Sequence, residues 1–429
     1  RQGCPLSALL FIMVAELMAL RIRNDNNIKG ISINNCEAKI TQMADDTTIF
    51  VKDINSVKLV LDTLNHFSNC AGLKLNKEKT EAIQLGIPFF QIKSKFGIKW
   101  IDGPTKVIGI WVGKDQNMLY ERNILNKIDK LKTLLNIWSS KSLTIKGRIT
   151  VIRNLALPLL LYPFTALHVK EEEILKVDKM FFNFVWPNGK SHVKKNILIQ
   201  KVEHGGLNMP DFISTMKALR LTWIKRLFYK ENTFTNLVKA INNINDLKSF
   251  INSKPAVLPK INIEFYENIF INWFSFYSRE PSDPIQILCE PLWNNKFITV
   301  ANREVVNQKL KDFGILKISS LLNDRGSFMT TVELENLYNT SLNILALNSI
   351  KSSIPRKWLK KITTASIVKF NNIKPDILLS NKKLIKELKD CRCKFFYEFF
   401  TSSKLEDPPS VVKWEDTFPE FDFNWSKIF

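Results

Sequence analysis

The first quarter of the chain mixes helical and strand-like patterns of hydrophobic and polar residues. Apolar side chains recur at helical spacing over residues 6–23 and again over 57–67, where Gly72 ends the run. Short strand-like stretches follow one another at 38–42, 47–51, 79–85, 96–101 and 106–112. The short link at 43–46 predicts a hairpin with Asp45 and Asp46 at its tip. The turn signal Asp102-Gly103-Pro104 predicts a second hairpin, which pairs 96–101 with 106–112.

Beyond Gly113 the pattern becomes that of long amphipathic helices, which we predict over residues 119–138, 144–157 and 171–186. After residue 230 the sequence is helical and rich in aromatic residues, with no recognisable motif. The pattern therefore predicts an α+β fold. We divide it into a mixed segment at 1–115, a helical segment at 116–229 and an α-rich region at 230–429.

The balance of charge indicates an anionic partner. The chain has 429 residues with 62 Lys+Arg against 41 Asp+Glu, a net charge of +21, and a hydrophobic fraction of 45%. Such a charge attracts nucleic acid or an anionic membrane surface. Polar residues or prolines interrupt the longest apolar runs, at 5–20 and 155–167, so we expect no membrane partner. Six irregularly spaced cysteines suit a reducing compartment.

The positive charge is concentrated in the predicted helices. Residues 121–230 contain 20 Lys+Arg and 8 Asp+Glu, a net charge of +12. We predict that Lys141, Lys146, Arg148 and Arg153 follow the sugar-phosphate backbone of a duplex, which gives affinity without reading sequence. The alternative is an ordinary solvated helix face.

The adjacent carboxylates Asp45 and Asp46 are a candidate metal site. Carboxylates about 3 to 4 Å apart repel each other unless a proton or a divalent cation neutralises them. Nucleotidyl transfer uses such carboxylates to hold two metal ions around the attacking hydroxyl and the leaving pyrophosphate. A solvated turn is the alternative for an isolated Asp-Asp pair.

Four segments taken in order resemble the palm of a reverse transcriptase: RQGCPLSA at 1–8, MADDT at 43–47, GLKLNKEKT at 72–80 and VIGIWVG at 107–113. The resemblance implies an RNA-directed DNA polymerase that adds deoxynucleotides to a primer 3′-hydroxyl, with Mg²⁺ or Mn²⁺ as cofactor. It implies metal binding by Asp45 and Asp46, substrate contacts by Gln2 and Gly3, and a place near the triphosphate for Lys79. The hairpin at 96–113 resembles the primer grip.

Three later segments resemble LINE-type, non-LTR retrotransposon proteins: WSSKSLTIKGRITVIR at 138–153, residues 181–186 and HGGLNMPD at 204–211. The resemblance implies a partial palm at 1–115, a basic thumb and post-thumb region at 116–229, and a helical region of unknown role at 230–429. It implies an RNA template, a DNA primer or target, dNTPs and the N-terminal part of the same polyprotein as partners. The expected location is the nucleus and cytoplasm, as a ribonucleoprotein.

The sequence departs from the family pattern in ways that leave alternatives open. Ala8 and Met43 stand where the family has proline and an aromatic residue. The family draws a further metal-binding Asp from a palm strand upstream of RQG, so we expect the 429-residue chain alone to be inactive. Cys391 and Cys393 lack further ligands for a zinc site. The alternatives are a non-catalytic, nucleic-acid-binding remnant and a maturase-type reverse transcriptase.

Overall fold

The fold is α+β, as predicted, with many helices and short two-stranded sheets. The computed structural model describes residues 4–33, 36–86, 96–187, 189, 191–373, 376–381, 384–402 and 404. Two compact units divide the chain. Unit 1 consists of 1–140, 156–164 and 232–241, and unit 2 consists of 141–155, 165–231 and 242–429. The division into three regions at 115 and 229 stays a prediction.

Unit 1 begins with two helices packed on each other, α1 (Pro5–Asn24) and α2 (Ile54–Ala71). Both confirm the helical patterns of the sequence. The Asp53 side chain caps α2 by accepting from the Ser56 N–H at 2.8 Å, and Gly72 ends it in the left-handed conformation. Their small core consists of Ala19, Ile22, Ile28, Ile40 and Val60.

The described strands of unit 1 form four separate pairs. They are β1 (Ile31–Ile33) with β2 (Cys36–Ala38), β3 (Ile40–Met43) with β4 (Asp46–Ile49), β5 (Glu81–Ile83) with β6 (Lys99–Ile101), and β7 (Thr105–Val107) with β8 (Ile110–Val112). The β3–β4 pair is the predicted hairpin with the acidic residues at its turn. The other described α-helices of unit 1 are α3 (Gln116–Tyr120), α4 (Asn126–Ser139) and α10 (Thr233–Asn242), and α6 (Leu157–Ala166) lies largely in it.

The second predicted hairpin was wrong in which strands it pairs. β6 does not pair with the strand after Asp102-Gly103-Pro104 but runs parallel to β5. The hairpin lies further along the chain and pairs β7 with β8 around Ile108 and Gly109. Glu81 holds this arrangement, because its carboxylate accepts from the Lys99 amine at 3.0 Å and from the Thr105 hydroxyl at 2.6 Å.

Residues 145–166 form one continuous helix, made of α5 (Ile145–Val151), a π-helical turn and α6 (Leu157–Ala166). The sequence predicted an end at 157, before Pro158. A π-helical turn at Ile152–Ala156 precedes this proline, and such turns interrupt the regular hydrogen-bond ladder that proline would otherwise break. The helix is long and apolar enough to cross a membrane, but Ile149, Ile152, Leu160 and Phe164 are buried inside the protein. About 39% of its apolar stretch is buried, so the helix packs in the interior along part of its surface.

Helix α9 (Phe212–Tyr229) packs against four other helices of unit 2. It packs against α7 (Glu171–Val185), α11 (Leu247–Ile251), α12 (Glu264–Tyr277) and α19 (Cys393–Ser402). Because α9 has neighbours on several sides, it buries polar as well as apolar residues, among them Ser214 and Arg220. The Arg220 guanidinium donates to the carbonyls of Thr165 and Leu167, and burial lowers its pKa to about 10.

A second core in unit 2 lies around α13 (Pro284–Cys289) and includes Trp293 and Trp358. The remaining helices and strands of this unit are short. They are α8 (Lys195–Ile199), α14 (Gln308–Asp312), α15 (Thr331–Tyr338), α16 (Ile344–Ser353), α17 (Arg356–Leu359), α18 (Thr364–Ile373), β9 (Thr299–Val300), β10 (Arg303–Glu304), β11 (Leu378–Asn381) and β12 (Leu384–Glu387).

Candidate functional site

The acidic pair lies at the tip of the β3–β4 hairpin. Met43 is paired with Asp46, so only Ala44 and Asp45 form the turn. Ala44 has a φ of 53°, a left-handed conformation that is unfavourable for a residue with a Cβ. Both aspartates are exposed, and within the described residues neither carboxylate has a hydrogen bond or an ion pair. The hairpin therefore presents two adjacent, unpaired carboxylates to solvent.

This geometry fits part of a divalent metal site. Mg²⁺ prefers oxygen ligands and takes about six of them, most often one or two carboxylates together with water and substrate phosphates. Asp45 and Asp46 supply the two carboxylates. In the parts of the chain that the structure describes, no group of three or more His, Cys, Asp or Glu side chains surrounds a common point.

The other residues predicted to contact substrate are less constrained. Lys79 is exposed in the turn before β5, where its backbone N–H donates to the Asn76 side chain at 3.1 Å. Its amine forms no ion pair with Asp45 or Asp46 among the described residues. Gln2 and Gly3 lie outside the residues that the structure describes.

The β7–β8 hairpin has a strained tip that other residues hold in place. Ile108 and Gly109 form its two-residue turn with φ angles of 45° and 81°, and a left-handed conformation is rare for a β-branched residue. The Tyr162 hydroxyl donates to the Ile108 carbonyl. Asn123 binds the hairpin from another side, since its amide group accepts from the Trp111 N–H and donates to the Trp111 carbonyl, both at 2.8 Å.

Beside this hairpin lies a pocket of about 520 Å³ that the sequence did not predict. Its walls include four basic side chains and one acidic one: Lys106, Arg122, Lys127, Lys130 and Asp129. Burial lowers the pKa of Lys127, and the charges of Lys130 and Lys106 lower it further. The i,i+3 spacing of Lys127 and Lys130 on the predicted helix was the available signal in the sequence.

The four basic residues predicted to follow a nucleic-acid backbone are not equivalent. Lys141 and Lys146 are exposed. Arg153 is exposed too, but its guanidinium donates to the Asn208 carbonyl. Arg148 is buried, donates to the Phe184 carbonyl at 2.9 Å and lies over the Phe184 ring. The structure therefore corrects the assignment of Arg148, because its charge is used inside unit 2 and does not reach the surface.

The segment HGGLNMPD forms a structural junction in unit 2. A Cβ on Gly206 would lie 2.2 Å from the Gln200 carbonyl oxygen, so only glycine fits there. Asp211 is fully buried, caps α9 through Ser214, and pairs with Lys195 at 3.3 Å and Lys404 at 2.7 Å. Burial alone would raise the pKa of Asp211, but hydrogen bonds from Lys404 and Ser214 and the charge of Lys195 lower it below its ordinary value.

Two comparisons with known proteins found similar sequences. Residues 1–111 match the family model described as reverse transcriptase (RNA-dependent DNA polymerase). This part of the chain is therefore similar to reverse transcriptases. It is also similar to the uncharacterized 149 kDa protein of transposon TX1 from Xenopus laevis, at 20% identity over 382 residues, which is 84% of this chain and 28% of that protein. The resemblance to LINE-type, non-LTR reverse transcriptases is thereby confirmed.

The segment that matches the family model contains the acidic hairpin, Lys79 and most of the β7–β8 hairpin. The helices that follow it are not part of that match, and the similarity to the transposon protein extends over most of the chain. The chain spans little more than a quarter of the length of this relative.

Proposed function

We propose that this chain is part of an RNA-directed DNA polymerase in which Asp45 and Asp46 bind the catalytic divalent metal. The exposed, unpaired pair of carboxylates on the hairpin tip carries the proposal, because it lies within the segment similar to reverse transcriptases. The substrates are a primer 3′-hydroxyl, an RNA template and dNTPs, and the partners include the rest of a longer polyprotein.

The two-residue turn determines where the metal-binding aspartates lie on the hairpin. Because Asp45 is in the turn and Asp46 is the first residue of β4, the backbone places both aspartates at the tip of the hairpin. When bound there, a divalent cation supplies electrostatic stabilisation of the attacking 3′-oxygen and the leaving pyrophosphate. The Lys79 amine adds a positive charge for the triphosphate. Neither aspartate needs to move a proton.

The test is primer extension on an RNA template by the 429-residue chain and by a longer protein that contains it. Asp45→Asn keeps the size of the side chain but removes its charge, so extension should fall at least about a hundredfold while template binding and fold stay unchanged. The matched control is Asp62→Asn, which removes an exposed carboxylate from α2 and should leave extension unchanged.

The outcomes separate the alternatives. Extension by Asp45→Asn near the wild-type rate would remove the metal assignment. A longer protein that binds template but never extends a primer would favour the non-catalytic remnant. If the 429-residue chain extends a primer by itself and Asp45→Asn abolishes this, the expectation that it needs a further palm carboxylate is wrong.

A further inference from the structure

Lys39 is a buried lysine at the start of the acidic hairpin. It comes one residue before β3, and only 8% of its surface is exposed. A buried ammonium group is unfavourable unless its N–H donors have partners. The Lys39 amine donates to the carbonyls of Arg23 at 3.2 Å and Asp25 at 2.8 Å. It also forms an ion pair with Glu37 at 3.5 Å, so three acceptors face its three donors.

Two of these acceptors lie at the end of α1. The carbonyl groups in the last turn of a helix have no partner within the helix, and a positive charge is favourable there. Arg23 is in the last turn of α1, and Asp25 follows the helix directly. The Lys39 amine therefore caps α1, while the Lys39 backbone continues into β3. This one residue connects the end of the helix to the start of the hairpin.

The backbone of Lys39 is held as well as its side chain. Its carbonyl accepts from the Phe50 N–H at 2.7 Å, which extends the β3–β4 pairing by one residue. The ion-pair partner Glu37 accepts from the Gly30 N–H at 2.7 Å. A Cβ on Gly30 would lie 2.8 Å from the Lys39 Cγ, so the chain packs closely against the lysine side chain.

The acidic hairpin depends on such contacts, because β3 and β4 pair only with each other among the described strands. A two-stranded hairpin by itself is marginally stable in water. Lys39 is nevertheless too distant to reach a metal at the tip, since four residues of strand place Met43 roughly 13 Å away. Within the described residues it forms no ion pair with Asp45 or Asp46. Lys39 can therefore affect these aspartates only through the hairpin.

We propose that Lys39 is a positioning residue, which fixes the carboxylates of Asp45 and Asp46 by joining the start of β3 to the end of α1. The inference rests on the proposed function, because it gives Lys39 a part in the same reaction. Without this connection the carboxylates are present but displaced. A small displacement of a catalytic group lowers turnover far more than it lowers binding.

The test variant is Lys39→Met, which keeps a long side chain but removes the charge and all three donors. Lys39→Gln keeps a neutral donor, so it should give a smaller effect of the same kind and serves as the test if Lys39→Met does not fold. The matched control is Lys52→Met, because Lys52 follows β4 and its side chain is exposed. The Lys52 backbone N–H donates to the Lys29 carbonyl, and the control retains this bond.

The first measurement is amide hydrogen exchange of the 429-residue chain, which needs neither metal nor primer. In Lys39→Met the amides of residues 40–50 should exchange at least about tenfold faster than in wild type, whereas those of α2 should change less than about twofold. Lys52→Met should resemble wild type in both segments. Equal acceleration in the hairpin and in α2 would mean that Lys39 supports only global stability, and it would overturn the proposal.

The second measurement is single-nucleotide incorporation by a longer protein that contains this chain. Lys39→Met should lower kcat by roughly tenfold or more and change the KM for dNTP less than about twofold, because the carboxylates are displaced rather than lost. Mg²⁺ demands nearly ideal octahedral geometry, so Mn²⁺ in its place should restore part of the lost kcat. An equal loss with both ions would indicate less folded enzyme and would overturn the proposal.

Asp45→Asn separates this proposal from the one on which it rests. If Asp45→Asn abolishes extension but Lys39→Met has the kcat of wild type, the role of Lys39 is wrong and the metal assignment stands. If Asp45→Asn extends a primer at near the wild-type rate, the metal assignment fails and the role of Lys39 fails with it.

Discussion

Asp211 keeps its negative charge although its side chain is fully buried, because two lysines and a serine N–H face it. Its pKa is lowered in the folded protein relative to an ordinary aspartate. A carboxylate of this kind stabilises the fold at pH values above its unfolded pKa of about 4, and the stabilisation is lost as the pH falls through the lower folded value.

We therefore predict that the free energy of unfolding falls steeply below about pH 4, and that Asp211→Asn flattens this part of the profile. At neutral pH the same variant should lose about 3 kcal/mol, because Lys404 then has no carboxylate partner, whereas Lys195 keeps Asp178 at 2.5 Å. Urea unfolding at a series of pH values measures both effects. Asp62→Asn, at an exposed position, should reproduce neither effect. If the free energy of unfolding of Asp211→Asn fell below pH 4 as steeply as that of wild type, Asp211 would not be the cause of the acid sensitivity.

Two neighbouring basic residues show that the local sequence did not predict which side of a short helix is buried. Lys146 and Arg148 are two positions apart in the same basic segment and received the same predicted role. They lie on opposite sides of α5, since two helical steps rotate a side chain by about 200°. One is exposed and the other lies against Phe184. Which side of a short helix faces the core depends on distant neighbours such as α7, and no local pattern supplies them.

Among the strands, the residues of each turn decided which hairpin prediction was correct. The β3–β4 hairpin was predictable because only two residues separate its strands. The β7–β8 hairpin was not, because its turn contains Ile108, which no turn rule favours, while the favoured Asp-Gly-Pro signal serves only to redirect the chain. The parallel partner of β6 lies sixteen or more residues earlier, beyond the reach of local patterns.

Strain at the β7–β8 tip can be tested directly. Ile108→Asn creates the Asn-Gly pair that left-handed two-residue turns prefer, so it should raise the free energy of unfolding by about 1 kcal/mol. Gly109→Ala should have the opposite effect, because its φ is 81° and a Cβ would lie 3.3 Å from the Tyr162 ring. Denaturant midpoints of both variants are the measurement; a loss of stability in Ile108→Asn would show that the isoleucine side chain matters more than its backbone.

The junction at 204–211 makes a second prediction at this scale. Gly206→Ala should destabilise the protein by about 2 kcal/mol or more, since the Gln200 backbone must move to admit a methyl group. Gly147→Ala is the control. Its added Cβ would meet nothing closer than 3.5 Å and lies in a helix, so stability should stay the same or rise by up to about 1 kcal/mol. Equal thermal midpoints for the two variants would refute the crowding argument.

For the whole molecule, the charge of +21 predicts a strong dependence of nucleic-acid binding on salt. If five phosphates are neutralised, affinity should fall roughly several hundred-fold between about 50 and 200 mM salt. Charge reversal at Lys141 and Lys146 should flatten that slope, whereas Arg148 is unsuitable because it is buried. Fluorescence anisotropy with an RNA/DNA duplex measures the slope, and affinity that did not change with salt would exclude phosphate contacts.

The types of secondary structure were predictable from the sequence, but the packing of distant segments into two units was not. Alternating patterns indicated an α+β fold, and charge indicated a polyanionic partner. The two units, however, are each built from three separate stretches of chain, and unit 1 includes residues 156–164 and 232–241 from within the helical region. Such a division depends on contacts between distant segments, and helical or strand periodicity carries no information about them.

The ion pair between Asp211 and Lys404 also sets an order of events during synthesis. The lysine follows the aspartate by 193 residues, so at about 5–20 residues per second the ribosome needs roughly 10–40 s to deliver it. During that interval α9 has its capping carboxylate and the earlier Lys195, but lacks both Lys404 and the packing of α19. A nascent chain therefore exposes one side of α9 until translation has almost passed the last described helix, and chaperones have that long to bind it.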